Sequence, residues 1–134
     1  MNKISSFSYK FIFSLFCISF LNTNLFAENS TNHLKTIIFG AGCFWSVEKK
    51  FQESYGVVNV ESGYADGKII KPVYKEIIKR ENRFNPNNFA EVVRVTYNSN
   101  QTDFESLVKI FFEMHDPTQI NRQGNDIGTQ YRSL

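Results

Sequence analysis

Thr36-Ile37-Ile38-Phe39-Gly40-Ala41-Gly42-Cys43-Phe44-Trp45 is the stretch that decides how this chain is read. Its first four residues form a short apolar run, the pattern of a buried strand. Beyond the glycines, Phe44, Val47, Phe51 and Tyr55 fall at helical spacing, so a helix begins at or beside the cysteine and runs to about Gln52. Strand, glycine turn, cysteine, helix sets a thiol at a helix N-terminus. Unpaired backbone N–H groups and the helix dipole there favour a thiolate, which is a nucleophile at neutral pH. Gly40 and Gly42 let the chain turn sharply and leave the sulfur approachable. Phe44 and Trp45 can wall it on an apolar side. A lone cysteine is also commonly a small buried hydrophobe, and on these residues both readings stay open.

Working outward, Tyr55-Gly56 ends the helix and Val57 to Glu61 reads as a second strand. Gly63-Tyr64-Ala65-Asp66-Gly67 is a turn-rich loop. Pro72-Val73-Tyr74 opens a short helix with Tyr74, Ile77 and Ile78 on one face. Residues 81–89 are an asparagine-rich loop containing a proline. Ala90 to Tyr97 is a third strand whose alternation puts Glu91, Val93, Val95 and Tyr97 on one face. Thr102 and Glu105 suggest a capping box, followed by the helical stripe Phe104, Leu107, Val108, Phe111 and Phe112. The run from Asn121 to Arg132 is too polar to be core. Strands alternating with helices indicate a helix-on-sheet layer fold.

The 134 residues suffice for one domain, with 21% charged and 42% apolar residues, ordinary for a globular chain. A net charge of +2 gives no electrostatic argument for nucleic acid or a membrane surface. The N-terminus has the layout of a targeting segment. Lys3 and Lys10 form a weakly basic start, Phe11 to Leu21 an apolar core too short to span a bilayer, and Leu25-Phe26-Ala27 a cleavage site. The expectation is a signal peptide over 1–27, a flexible leader over 28–35 and a catalytic domain over 36–134. That implies export to a periplasm or the exterior, with no stable membrane insertion after cleavage; a retained N-terminal anchor is the alternative. Of the two cysteines, Cys17 would leave with the signal peptide and Cys43 would remain as an unpaired, reactive thiol.

Other residues can carry chemistry. Glu91 begins a strand on the same face as three large apolar side chains. Desolvation there raises a carboxyl pKa and makes it a candidate general acid, although a strand-end glutamate can equally reach solvent. His115 and Asp116 are candidate bases or ligands, or a helix C-cap. Cys43, His33 and His115 give no metal-ligand spacing.

These residues resemble a known family. Gly42-Cys43-Phe44-Trp45 with Glu48, then Gly63-Tyr64 with Gly67, Pro72-x-Tyr74 and Ala90-Glu91-Val92-Val93 are similar to the motifs of peptide-methionine sulfoxide reductase A. So is the closing run, His115-Asp116-Pro117-Thr118, Asn121-Arg122-Gln123-Gly124-Asn125-Asp126 and Gly128-Thr129-Gln130-Tyr131-Arg132-Ser133. The resemblance spans residues 36–133 in family order. It implies an α+β fold, a two-layer helix-on-sheet sandwich with a mixed sheet of ferredoxin-like plait type. It implies Cys43 as the nucleophile on the sulfoxide sulfur and Phe44 and Trp45 as the pocket for the ε-methyl group. Glu91 would protonate the sulfoxide oxygen, Tyr74 and Tyr131 would hydrogen-bond it, and Asp126 would shape the site. The substrate would be the S epimer of methionine sulfoxide, in oxidised proteins or free. No cofactor or metal is called for, and a thioredoxin-like protein or small thiol would be the reductant.

The sequence departs from the family in three places. The usual Ser-Gly-x-Thr-Gly-His before Ala90-Glu91 is replaced by a longer loop, Asn82 to Phe89, with Phe89 where histidine is usual. Family members continue past Ser133 into another strand and a tail, so the domain is expected to be C-terminally truncated. The resolving cysteine often carried in that tail is absent. Tyr131 is then expected on a fraying end, with low stability and weak activity. An inactive remnant that binds methionine sulfoxide or a partner chain without turnover is the alternative function. A cysteine hydrolase using His115 is a third reading.

Overall fold

The computed structural model describes residues 33–69 and 71–134. The expected signal peptide and most of the leader lie outside them. The leader's last residues do not: strand β1 is Leu34–Phe39, and the carbonyl of His33 accepts from the Ser99 amide at 2.7 Å. After it come helix α1 (Phe44–Gln52), β2 (Val57–Ala65), the short helix α2 (Tyr74–Ile77) and a 3-10 turn (Arg80–Asn82). Then follow β3 (Ala90–Asn98), α3 (Phe104–Met114), the two-residue strands β4 (Arg122–Gln123) and β5 (Asp126–Ile127), and a second 3-10 turn (Thr129–Tyr131).

The main sheet has the order β1-β3-β2, and both pairings are antiparallel. The expected α+β helix-on-sheet layering holds, but the described sheet is antiparallel in its hydrogen bonding rather than mixed. The reason is topological. β1–α1–β2 is a split βαβ unit: β1 and β2 run the same way, but β3 lies between them and pairs with each.

β3 carries the pattern that organises the layers. Val93, Val95 and Tyr97 face the core with Phe39, Val47, Phe51, Val60, Leu107 and Phe111, so α1 and α3 share one face of the sheet. Phe39 is stacked between Phe51 of α1 and Phe111 of α3, with ring centroids 4.9 Å away in each case. Burying each such ring stabilises by roughly 1.5–3 kcal/mol, which makes Phe39 the pin that holds both helices to the sheet. On the opposite face Arg94 and Glu61, directly paired in register, form an ion pair at 2.7 Å.

Several sequence expectations shift. β2 continues through Gly63 and Tyr64, which read as a loop, because β3 offers pairing partners as far as Ala65↔Ala90. α1 ends at Gln52, Gly56 follows at φ 79°, and Tyr55 lies outside the helix, 76% exposed. The N-cap of α3 is Asp103, one residue after the expected Thr102; its Oδ1 accepts from the Ser106 amide at 2.8 Å. The polar run near the end is not all solvated: Thr129 and Gln130 are buried. The segment carrying Tyr131 is held rather than frayed. Gly40 and Leu134 exchange both backbone hydrogen bonds, at 2.8 and 2.9 Å, and Ala41 bridges to Ser133.

Candidate active site

The site forms where β1 and β2 end and β3 begins, near the start of α1. Gly42 makes the turn into the helix at φ 95°, and a Cβ there would stand 2.7 Å from the Cβ of Gln123. Glycine is therefore required twice over, by conformation and by the polar segment that crosses it. Cys43 is the N-cap of α1, half-buried, and its side chain makes no capping hydrogen bond. The first amide of the helix, Phe44 N–H, donates instead to Glu91 Oε2 at 3.1 Å. The carboxyl group thus takes the first of the amides that the sequence reading assigned to the sulfur.

Glu91 is 3% exposed, on the core face of β3 next to the apolar Val93, as its alternation predicts. Burial raises its pKa; the Phe44 amide acts against that, nearby Asp126 adds to it, and the Gln130 side chain opposes it. The net direction is upward, so Glu91 keeps its proton to higher pH than an ordinary glutamate. This is the property expected of a general acid.

Tyr64 is directly opposite Glu91 in the β2–β3 register and shares its face. Burial, followed by the influence of Glu91, Tyr74 and Tyr131, pushes its phenol up to about 12. Tyr131 is raised too, by burial and then by Glu91 and Asp126, with Cys43 also contributing and Gln130 acting in the opposite sense. Both phenols therefore remain hydrogen-bond donors across the physiological range. These mutual influences bring together Cys43, Glu91, Tyr74, Tyr131 and Asp126, residues that come from five separate elements. An aromatic wall completes the site: Phe44 lies 5.6 Å from Tyr64 and 6.1 Å from Trp45, ring centroid to centroid, and Trp45 is 70% exposed.

Three contributors went unassigned in the sequence. Tyr64 belonged to a quoted motif, but its place opposite Glu91 depends on strand register. Gln130 is a buried amide between Glu91 and Tyr131. Arg132 donates from Nη1 to the carbonyls of Asn88 and Thr129 at 3.1 and 2.7 Å, and from Nη2 to the carbonyl and Oδ2 of Asp66 at 2.5 and 3.0 Å. It thereby fastens the end of β2, the loop before β3 and the turn that bears Tyr131.

The divergent Asn82–Phe89 loop is ordered by Asn88, which is fully buried and donates from Nδ2 to the carbonyls of Ile77 and Asn82. Phe89 packs against Gly67, where any Cβ would come within 2.4 Å of its ring. His115 has a structural job. Its Nδ1 is 2.5 Å from the Phe111 carbonyl, which can only accept, so that nitrogen carries the proton and Nε2 accepts from the Ser133 hydroxyl at 3.1 Å. Its Nε2 meets Ser133 and makes no hydrogen bond to Cys43, so the pairing that a cysteine hydrolase needs is not formed.

Comparison with known proteins agrees with this geometry. The peptide methionine sulfoxide reductase family profile matches residues 35–134. The chain is 47% identical over 96 residues to the peptide methionine sulfoxide reductase MsrA of Acidobacterium capsulatum, covering 72% of this chain and 58% of that one. It is 48% identical over 99 residues to the MsrA of Natronomonas pharaonis, covering 74% and 53%. The solved structure of methionine sulfoxide reductase A of Corynebacterium diphtheriae superposes with a TM-score of 0.68 at 46% identity, over 75% of this chain and 45% of that one. The chain thus spans about half the length of the curated relatives it matches. With its motifs in order, its site residues converged and the profile matched from β1 onward, the chain belongs to the peptide methionine sulfoxide reductase family, type A.

Proposed function

We propose that this chain reduces the S epimer of methionine sulfoxide, in proteins or as the free amino acid, with Cys43 as nucleophile. The observation that carries the reading is the buried Glu91, its pKa raised by burial, accepting from the amide of Phe44, the residue next to Cys43. A sulfoxide is polar at oxygen and apolar at methyl. Glu91 with Tyr74 and Tyr131 supplies donors for the oxygen, and Phe44 and Trp45 supply the apolar wall.

The step balances. The Cys43 sulfur attacks the sulfoxide sulfur while Glu91 delivers its proton to the oxygen. The S–O bond breaks and the oxygen passes to Cys43 as a sulfenic acid. The substrate sulfur gains two electrons and leaves as a thioether; the cysteine sulfur loses two. Among the described residues Cys43 is the only cysteine. In the proposed recycling an external thiol attacks the sulfenic acid, expels water and forms a mixed disulfide that a second thiol resolves. A thioredoxin-like protein or small thiol fills that role. The proposed location is an exporting one, the periplasm or exterior, which rests on the layout of the N-terminal segment.

The test is steady-state reduction of each sulfoxide epimer at varied thiol concentration. Turnover of the S epimer should rise with thiol, and the R epimer should be left unchanged. Binding of the S epimer with no thioether formed, or equal reduction of both epimers, would overturn the proposal.

A further inference from the structure

Beside the site lies a cleft of about 370 Å³, with Tyr74 and Tyr131 on its walls together with Ile78, Ile127, Arg80 and Arg83. The two phenols are those assigned above to the sulfoxide oxygen, so the cleft shares two side chains with the proposed reaction site. Arg83 belongs to the divergent Asn82–Phe89 loop, where this sequence leaves the family pattern, and Arg80 opens the 3-10 turn that leads into it. Arg83 is anchored there. Its Nε donates to the Ile127 carbonyl at 3.0 Å, its own carbonyl accepts from the Thr129 amide at 2.8 Å, and its guanidinium carbon lies 5.5 Å from the centre of the Phe84 ring. Among the described residues, neither the Nη donors of Arg83 nor the Arg80 side chain meets a carboxylate; the ion pairs of this region join Lys79 to Glu76 and Glu81. Three acids come near the cleft: Glu81, next in the chain to Arg80, is paired with Lys79 at 4.0 Å, while Asp126, next to Ile127, and Glu91 direct their influence to Tyr131.

Two guanidinium groups without acidic partners on one cleft wall, one held by a backbone contact, are the side chains that suit a planar anion. Resting on the reductase reading above, we propose that this cleft is a substrate subsite that binds a carboxylate close to the sulfoxide. The carboxylate is either the α-carboxylate of a terminal or free methionine sulfoxide, or the side chain of an adjacent acidic residue. The isoleucines, Ile78 and Ile127, cover the aliphatic part of such a group.

The test is equilibrium binding by calorimetry to the Cys43→Ser chain, which cannot turn over. One arm compares N-acetyl methionine S-sulfoxide with its amide. The other compares end-capped peptides bearing Glu or Gln directly after the sulfoxide. In at least one arm the acid should bind roughly threefold to tenfold more tightly than its neutral counterpart, less so in high salt. Arg80→Gln, which removes no hydrogen bond or ion pair among the described residues, should reduce that ratio, and Arg80→Gln with Arg83→Gln should bring it to about one. No preference in either arm, no binding at all, or a preference that survives the double substitution overturns the subsite. A chain that prefers the acid but never reduces a sulfoxide would sink the reductase reading and leave the subsite standing.

Discussion

Replacing Gly42 by alanine should destabilise the domain and disable the site together, and the structure sets the size of the effect. At φ 95° an L side chain is strained, at a cost of about 1–3 kcal/mol. The new Cβ would also stand 2.7 and 2.8 Å from the Cβ and Cγ of Gln123, well inside the separation at which carbon atoms attract. Relieving that overlap costs roughly 1–3 kcal/mol more, since Gln123 lies in the β4 strand and cannot swing clear at its Cβ. The sum, about 2–6 kcal/mol, is a large share of the 5–15 kcal/mol typical of a domain. In urea, at an m-value of about 1.5 kcal/mol/M, the unfolding midpoint should fall by roughly 1–4 M. Gly63→Ala is the control. A Cβ there meets nothing within 4 Å and the backbone is already extended in β2, so it should be neutral or stabilising by up to about 1 kcal/mol. Because Cys43 follows directly, a shift of about 1 Å in the turn should also cost on the order of a hundredfold in rate. A Gly42→Ala midpoint within about 0.3 M of the parent chain would refute the steric argument, the expected loss being several times larger.

Glu91→Gln should gain stability relative to the parent chain as pH rises. The raised pKa means that the folded state holds the proton more tightly than the unfolded state. That contribution is fully present below the ordinary glutamate value near 4.5 and is lost as pH climbs through the raised folded value. The melting-temperature difference between the two chains should therefore widen between pH 4 and pH 8 in favour of glutamine; a constant difference would contradict the burial argument. Arg132→Ala removes charge-assisted hydrogen bonds to Asn88, Thr129 and Asp66 and should cost about 2–4 kcal/mol by chemical denaturation. Arg132→Lys should recover only part of it, because one ammonium lacks the fork that spans those acceptors. Equal stability of the lysine and arginine chains would show that the fork geometry is immaterial.

Much of the fold was legible because it rests on local periodicity. The alternation of Glu91, Val93, Val95 and Tyr97 survives in β3, and the stripe of Leu107 and Phe111 in α3 faces the core as expected. Gly63 and Tyr64 misled because glycine beside an aromatic reads as a turn, while the hydrogen bonds that extend β2 come from a strand almost thirty residues later. For the same reason Tyr64 could not be placed opposite Glu91, since register is not a local property. Cys43 at a helix start was readable; that Glu91 would occupy the first amide of that helix was not, because the two are 47 residues apart. The buried Thr129 and Gln130 escaped notice because polar residues read as solvated unless their partners are known, and Arg83 and Asn82, which hold Thr129, lie in the divergent loop.

The most direct test of the account is a single-turnover experiment without reducing thiol. The reduced chain is mixed with a methionine S-sulfoxide substrate, and the sulfenic acid is captured by a dimedone-type trap and located by mass spectrometry. One adduct per chain on Cys43, matched by one equivalent of thioether, is the expected result. Glu91→Gln should slow its formation by about a hundredfold to ten-thousandfold. Thioether formed without an adduct on Cys43, or a Glu91→Gln rate within about threefold of the parent, far short of that range, would contradict it.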